Sequence, residues 1–280
     1  MILWLASYPK SGNTILRSIF STYFHSPDGI FDFKYLQHIP QFPEINSFKK
    51  ININPQNEKE VVKNYIKAQK IYLRPRNLQF LKTHSILKNR EMTFTDKINT
   101  LGAICVVRDP RNVVLSYSHH FNRSLDRSVE NVLDENNFLS AKDGSVPFHY
   151  IGSWRTHYLS WKKLGDRCYV VKYEDLVKKK KETVIQLLKF IEKLSKKYIS
   201  NDINIKVDAK RLDKVIETTS FENMRNLEEK NGFKENPNKD KNKKFFNLGL
   251  NNKWENRLDF IKKAKIENGF EKEMKELGYL

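Results

Sequence analysis

The first candidate site is the loop at residues 7–14, SYPKSGNT, which lies between a short apolar run and a helical pattern. Such a junction presents free backbone N–H groups and the positive end of a helix dipole, which favour a bound anion. Gly12 permits close approach of the backbone, Ser11 and Thr14 add hydroxyl donors, and Lys10 adds positive charge. The loop therefore predicts a phosphate or sulfate site, with an ordinary strand–turn–helix junction as the alternative.

The order of residues in this loop differs from that of ATPases and kinases. Their P-loop reads G-x-x-x-x-G-K-[ST], in which the lysine follows the second glycine and a hydroxyl holds Mg²⁺. Here Lys10 precedes the loop's only glycine. The standard kinase arrangement is not predicted, and no metal is required if the lysine and the helix amides stabilise the anion.

The elements that position this loop follow from four short apolar runs, which are typical of buried parallel strands. They are Ile2–Ala6, Leu78–Lys82, Leu101–Val107 and Cys168–Tyr173. Helical patterns alternate with them, one beginning at Asp109-Pro110 with an N-cap residue and a proline at the first helical position. The sequence predicts an α/β fold, a single P-loop-like domain with a central parallel β-sheet flanked by helices.

Composition excludes several classes of protein. The 280 residues are 39% hydrophobic and carry a net charge of +18, which is too apolar a chain for a disordered polycation. No apolar run approaches the roughly 20 residues of a membrane helix, and the first run lacks a preceding basic region, so neither membrane insertion nor a signal peptide is expected. Cys105 and Cys168 lie in apolar runs, which favours a cytoplasmic protein without disulfides.

The positive charge is not concentrated on one segment. Residues 1–171 have a net charge of +10 and residues 172–280 one of +8. The run Lys178–Lys181 begins a helical pattern and is interpreted as a solvated helix face. A nucleic-acid partner is therefore the least favoured interpretation.

Two stretches interrupt the alternation of strands and helices. Residues 27–55 are rich in phenylalanine and proline, and residues 227–244 in lysine, asparagine and glutamate. Long loops in α/β domains are often lids or acceptor-binding segments, although variable surface insertions fit equally well. The aromatic content of the first stretch suggests an apolar pocket.

Six segments, taken in order, resemble the cytosolic sulfotransferase family, whose enzymes use 3′-phosphoadenosine-5′-phosphosulfate (PAPS) as sulfuryl donor. Residues 8–14 are similar to its 5′-phosphosulfate loop and residues 107–117 to its 3′-phosphate motif. The other similar segments are LKTH at 81–84, YEDL at 173–176, TSFENM at 219–224 and FFNLG followed by WEN at 245–256. Together they cover nearly the whole chain.

The resemblance implies one sulfotransferase domain over residues 1–280 that moves a sulfuryl group from PAPS to a hydroxyl, or an amine, of a small or lipid-like acceptor. The product nucleotide would be 3′,5′-bisphosphoadenosine. Catalytic residues would be His84, Lys10 and Lys82. The PAPS-binding residues would be Lys10, Ser11, Gly12, Asn13, Thr14, Ile15, Arg108, Ser116, Tyr173, Thr219, Ser220, Phe221, Met224, Phe246 and Gly249. The rival interpretations are a P-loop nucleotide kinase or NTPase and a catalytically silent nucleotide-binding homologue.

Each implied role fits the chemistry of its side chain. His84, with an ordinary pKa near 6.5, is the candidate general base for the acceptor, and Lys82 would lie on the same side of its strand. Lys10 would meet the charge that develops on the departing oxygen. Arg108 and Ser116 would hold the 3′-phosphate. For Arg108 the alternative is a salt bridge with Asp109 or Asp175, and the neighbouring His119 and His120 are interpreted as structural or acceptor-lining.

Two positions depart from the family's pattern. Ile15 stands where a tryptophan usually stacks on adenine. Asn247-Leu248 stands where the family has an Arg-Lys pair near the 3′-phosphate. The hypothesis is that Lys243 or Lys244 reaches back to replace these cations.

Overall fold

The computed structural model describes residues 1–75, 77–88, 92–141, 146–236 and 243–280. The strands are β1 (Ile2–Ser7), β2 (Gln79–Thr83), β3 (Thr100–Val107), β4 (Phe138–Leu139), β5 (His149–Tyr150) and β6 (Cys168–Lys172). The helices are α1 (Asn13–His25), α2 (Ile45–Lys49), α3 (Glu58–Lys63), α4 (Tyr65–Gln69), α5 (Pro110–Phe121), α6 (Leu125–Leu133), α7 (Trp154–Lys162), α8 (Tyr173–Lys178), α9 (Lys180–Tyr198), α10 (Ala209–Thr218), α11 (Phe221–Asn231) and α12 (Phe260–Glu276). Among these described residues, none forms a helix long and apolar enough to cross a membrane.

The central sheet has four parallel strands in the order β2-β1-β3-β6. Its strands coincide with the four predicted runs to within one residue at each end. The predicted α/β fold with a parallel sheet is therefore confirmed. Because all four strands run in one direction, their C-terminal ends lie together at one edge of the sheet.

Both faces of the sheet are buried, which explains why its strands are continuously apolar. On one face Leu3 and Leu5 of β1 join a core built with helices α1 and α9. On the other face Trp4 packs against aromatic side chains and against Trp161 of α7. Trp154 and Tyr158 are buried on the same helix as Trp161, so all three aromatic side chains pack in the core.

The aromatic stretch at residues 27–55 contributes mainly to the core rather than to a pocket. Phe42 and Phe48 are fully buried against Trp4 and Tyr65. The backbone beside Phe42 pairs with β2, since the Phe42 N–H donates to the Lys82 carbonyl at 2.8 Å. Aromatic residues without a clean period are used here to cover the sheet beside β2.

The lysine-rich stretch at residues 227–244 begins as helix, because α11 continues to Asn231. Phe233 then packs against Phe33 and Phe245, whose ring centroids lie 4.7 and 4.8 Å from its own. Residues 237–242 of this predicted loop lie outside the described residues. The described part before this gap is thus anchored by aromatic packing.

The lysine run at residues 178–181 is only partly a solvated face. Lys178, Lys179 and Lys181 are exposed, as predicted. Lys180 instead donates to the Thr219 carbonyl at 3.0 Å, and burial lowers its pKa to about 8. This lysine satisfies a backbone acceptor just after α10, where helix carbonyls lack partners.

Candidate active site

The loop at residues 8–12 connects β1 to α1 at the C-terminal edge of the sheet. Gly12 is the N-cap of α1, with φ of 108°, and no side chain caps the helix there. Lys10 also has a positive φ of 67°. The backbone N–H groups at the start of a helix have no intrahelical partner, so α1 offers an anion site there.

Gly12 is required by a second constraint, the ring of Tyr173 at the start of α8. A Cβ atom at Gly12 would lie 2.6 Å from the Tyr173 Cδ2 atom, closer than such contacts allow. Arg108 packs on the same ring, with its Cζ 4.2 Å from the ring centroid. The loop, the tyrosine and the arginine are therefore closely packed.

Replacing Gly12 by alanine is expected to strain the backbone by about 1–2 kcal/mol and also to displace the Tyr173 ring. We expect the affinity for 3′,5′-bisphosphoadenosine to fall about tenfold or more, because the helix amides lose their alignment. Gly165→Ala is the matched control, since Gly165 also has a positive φ of 58° but nothing lies within 4 Å of its Cβ position. Both variants should unfold at lower temperature. Equal nucleotide affinities in calorimetric titrations of the two variants would contradict a role of Gly12 and the N-terminus of α1 in nucleotide binding.

A cavity of about 480 Å³ opens beside this loop. It is lined by these predicted residues: Lys10, Gly12, Asn13, Thr14, Ile15, Lys82, His84, Arg108, Ser116, Tyr173, Phe221, Phe246 and Gly249. They come from α1, β2, α5, α8 and α11 and from the segments that follow β1, β2, β3 and α11, and the sheet topology gathers them at one edge. A cavity of this size suits a small-molecule ligand.

Four predicted site residues do not line the cavity. Ser11 is fully buried, and its hydroxyl oxygen has no hydrogen-bond partner. The Thr219 hydroxyl donates to the Val215 carbonyl at 2.6 Å, while Ser220 is the N-cap of α11. Met224 belongs to the core. Apart from Ser11, these residues position α11 and its cavity-lining Phe221 rather than forming the wall.

His84 is held in one orientation at the end of β2. Its Nδ1 lies 2.8 Å from the Ser7 carbonyl oxygen, which can only accept, so Nδ1 carries the proton in the neutral ring. Burial and the nearby Lys82 ammonium hold the pKa of His84 well below its usual range. The neutral ring therefore keeps an unprotonated Nε2, the form that a general base needs.

Lys10 meets His120 and Phe245 inside the cavity. Its Nζ lies 3.3 Å from the Nδ1 atom of His120 and 3.9 Å from the centroid of the Phe245 ring. Burial, together with the charges of Lys82 and Arg108, lowers the pKa of Lys10 to about 7. This ammonium has no carboxylate within ion-pair distance among the described residues, so an incoming anion would be its natural partner.

Lys82 belongs to a network of ion pairs with Glu235 and Arg17, two residues that the sequence analysis does not predict to be functional. Its Nζ lies 3.3 Å from the Glu235 carboxylate, which also forms an ion pair with the buried Arg17 of α1. These two cations lower the pKa of Glu235 to about 2. Glu235 itself lines the cavity. The ion pairs therefore fix the segment after α11 against β2 and α1.

Phe245 and Phe246 are positioned by a buried carboxylate. Glu228 of α11 accepts the backbone N–H groups of Phe245 at 2.7 Å and of Phe246 at 2.9 Å. Both rings line the cavity. Glu228, which belongs to none of the six segments that resemble the family, thus positions two aromatic residues of the cavity wall.

Arg108 does not form the salt bridge that was its alternative role. Its guanidinium makes one contact to the Lys10 carbonyl at 3.3 Å and a long one to the Gly249 carbonyl at 3.5 Å, and its Nε has no partner. Asp109 pairs instead with Arg111 at 2.7 Å and caps α5 through the Arg111 N–H. With only 7% of its surface exposed, Arg108 is a buried cation without a carboxylate among the described residues.

The structure does not bring Lys243 or Lys244 to the cavity wall. The Lys243 ammonium donates to the Asn122 side chain at 2.8 Å, in a neighbouring hollow. Asn247 and Leu248 do line the cavity, together with His119 and His120. The hypothesis that Lys243 or Lys244 replaces the missing cations therefore lacks a supporting contact.

The sheet, the loop at residues 8–12 and the cavity define an α/β protein of the P-loop-like class. A family model described as the sulfotransferase domain matches residues 2–278 of the chain. The chain therefore belongs to the sulfotransferase family.

Known relatives agree with this assignment. The chain is 27% identical to rat sulfotransferase 1E1 over 227 residues, which are 80% of the chain and 66% of that protein. It is 26% identical to human sulfotransferase 1E1 over 280 residues, covering 98% of the chain and 84% of the relative. It is also 23% identical to a rabbit amine sulfotransferase over 82% of the chain and 64% of that protein.

Two solved structures share the fold. A mouse sulfotransferase SULT7A1 complexed with PAP has a TM-score of 0.60 at 19% identity, covering 98% of this chain and 84% of that one. A retinol dehydratase in a complex with retinol and PAP has a TM-score of 0.62 at 15% identity, covering 98% of this chain and 81% of that one. At these identities the likeness shows the fold alone.

Proposed function

We propose that this protein transfers a sulfuryl group from PAPS to the hydroxyl, or less favourably the amine, of a small or lipid-like acceptor and releases 3′,5′-bisphosphoadenosine. The observation that carries the proposal is the meeting of Lys10, Lys82 and His84 with the N-terminus of α1 in one cavity. A neutral base beside cations and free helix amides is what sulfuryl transfer requires of a protein.

The residues of the cavity fit a nucleotide with two phosphate groups. Arg108 Nε in the cavity wall and Ser11 Oγ in the adjoining loop are buried polar atoms without a protein partner, and such atoms are costly unless a ligand or water binds them. The loop and the N-terminus of α1 would hold the 5′-phosphosulfate. Arg108 and Ser116 would hold the 3′-phosphate, because an arginine donates a charge-assisted pair of hydrogen bonds to a phosphate.

When bound, PAPS supplies an electrophilic sulfuryl group whose bond to the 5′-phosphate oxygen breaks as the acceptor oxygen bonds to sulfur. His84 accepts the acceptor's hydroxyl proton at Nε2, which its contact with Ser7 leaves unprotonated. Lys10 stabilises the negative charge on the departing phosphate oxygen. Lys82, which also pairs with Glu235, donates a hydrogen bond to a sulfonate oxygen from the side of β2.

The acceptor end of the cavity supports a small or apolar acceptor. Phe121, Leu139, Val146 and Phe245 line the cavity together with His84. Apolar walls bind a molecule through its hydrocarbon part, and a polar group such as His84 among them orients one hydroxyl. The cytoplasm is the proposed compartment, because Cys105 and Cys168 are free thiols.

The test is a thermal-shift comparison of 3′,5′-bisphosphoadenosine with ADP. We expect a larger stabilisation by the bisphosphate, and Arg108→Ala should remove that difference by weakening bisphosphate binding about 10- to 100-fold. Arg127→Ala is the control, since Arg127 forms an exposed ion pair on α6. Stabilisation by Mg-ATP alone would instead indicate a nucleotide kinase. Binding of the bisphosphate without transfer to any acceptor of a broad hydroxyl and amine panel would indicate a silent homologue.

A further inference from the structure

The part of the cavity that holds Arg108 and Ser116 is short of positive charge along one wall. Asn247 and Leu248 line that wall, and neither carries a charge. A phosphate monoester carries a charge of about −1.5 to −2 at neutral pH. Arg108 carries less charge than such a group, so a second cation in this part of the cavity would strengthen binding of the proposed nucleotide.

The chain after Gly249 turns onto helix α5, where Asn112 fixes it at two points. The side-chain amide of Asn252 donates to the Asn112 carbonyl at 3.2 Å, and the Trp254 N–H donates to the Asn112 side-chain oxygen at 3.1 Å. Residues four apart in a helix lie on one face, so Ser116 lies next to Asn112. The segment from Asn252 onward therefore runs along the face of α5 that carries Ser116.

Arg257 lies at the end of this segment and lines the cavity together with Arg108 and Ser116. Its Nη1 donates to the Asn252 side-chain oxygen at 3.2 Å, which ties the guanidinium to the turn on α5. It forms no ion pair with a carboxylate among the residues that the structure describes. Its side chain is exposed, so the guanidinium N–H groups that do not bind Asn252 are accessible to an anion.

We infer that Arg257 is a specificity-determining residue that binds the 3′-phosphate of the nucleotide with Arg108 and Ser116. This inference rests on the proposed function, because it concerns the same donor site. Two guanidinium groups match the charge of a phosphate monoester, and each offers paired N–H donors to its oxygens. The sequence does not predict this role, because Arg257 lies ten residues after Asn247, the position at which the family has its cation.

Lys243 is a natural control for this assignment. It shares a neighbouring hollow of about 290 Å³ with Arg257 but does not line the main cavity. Its ammonium is held by Asn122 at 2.8 Å. The two cations therefore differ in access to the nucleotide but not in the sign of their charge.

The experiment compares calorimetric dissociation constants of 3′,5′-bisphosphoadenosine and AMP, which differ only by the 3′-phosphate. In Arg257→Gln, which retains a donor for Asn252, we expect bisphosphate affinity to fall about 10- to 100-fold, while AMP affinity stays within about twofold. Arg257→Ala should behave alike, and Lys243→Ala should bind both nucleotides as the unaltered protein does.

The outcomes separate this inference from the proposed function. If the unaltered protein binds the bisphosphate no more tightly than AMP, the proposed PAPS site fails. If the unaltered protein discriminates and Arg257→Gln discriminates equally, only the role of Arg257 is overturned. Loss of discrimination in Lys243→Ala, with none in Arg257→Gln, would assign the second cation to Lys243.

Discussion

His84→Gln is expected to lower turnover by about 10²–10⁴-fold, the usual contribution of a positioned base. The affinity for 3′,5′-bisphosphoadenosine should stay within about twofold, because the imidazole acts on the acceptor rather than the nucleotide. Initial rates with PAPS and the most active member of a hydroxyl panel, together with calorimetric titration, measure the two quantities. An unchanged turnover would exclude His84 as the base.

The pH profile gives an independent test of the same residue. Burial and Lys82 lower the pKa of His84, so its neutral form persists as the pH falls below the usual titration range of histidine. The value of kcat/KM reports groups of the free enzyme. We therefore expect no loss of kcat/KM from this group between pH 7 and pH 6. His38→Gln is the control variant and should show the same pH profile as the unaltered protein. His38 is exposed and stacks on His25 away from the cavity.

Lys10→Ala is expected to reduce turnover by about 10²–10³-fold, since it removes the cation that meets the departing oxygen.

The same substitution should also change the pH dependence of nucleotide binding. The pKa of Lys10 is about 7 in the free protein, and a bound anion favours the protonated form and raises this pKa. Above pH 7 the free lysine loses its proton, so affinity should fall by up to about tenfold per pH unit.

Proton uptake measures this linkage directly. Bisphosphate binding near pH 8 should take up nearly one proton per nucleotide from Lys10, detected calorimetrically in two buffers of different ionisation enthalpy. Lys10→Ala should lose both the uptake and the slope of affinity between pH 7.5 and pH 9. Lys67→Ala, an exposed lysine on α4, should retain both. A slope that survives in Lys10→Ala would assign the titration to another group.

The strands and the anion loop are predictable from sequence because their signals are local. Each strand is built on a short apolar run, because burial on both sheet faces favours apolar side chains. The loop combines Lys10 and Gly12 at a strand–helix junction, which already specifies free amides and a cation. His84 is singled out by the resemblance of LKTH to the family's segment, and its place just beyond the end of β2 agrees with that prediction. Local chemistry, the resemblance and the sheet topology together predict that these residues lie at one edge of the sheet.

Other parts of the site depend on contacts that no local pattern carries. Glu235 pairs with Arg17 across 218 positions of sequence, and it lies in a stretch whose composition resembles any polar loop. Arg257 is likewise placed by a turn on α5 rather than by its neighbours in sequence. Outside the site, Lys180 lies in a run of four lysines whose other members are exposed, yet its ammonium donates to the Thr219 carbonyl. Tertiary geometry decides each of these roles.

The ring of Tyr173 has a consequence for how the two ends of the nucleotide are recognised. It packs against both Gly12 of the loop and the Arg108 guanidinium, while Arg108 also donates to the Lys10 carbonyl. Shared partners make free energies non-additive. We therefore expect energetic coupling between the 5′ and 3′ phosphate groups of the proposed nucleotide. The affinities of fragments that carry a single phosphate consequently do not sum to that of the intact nucleotide.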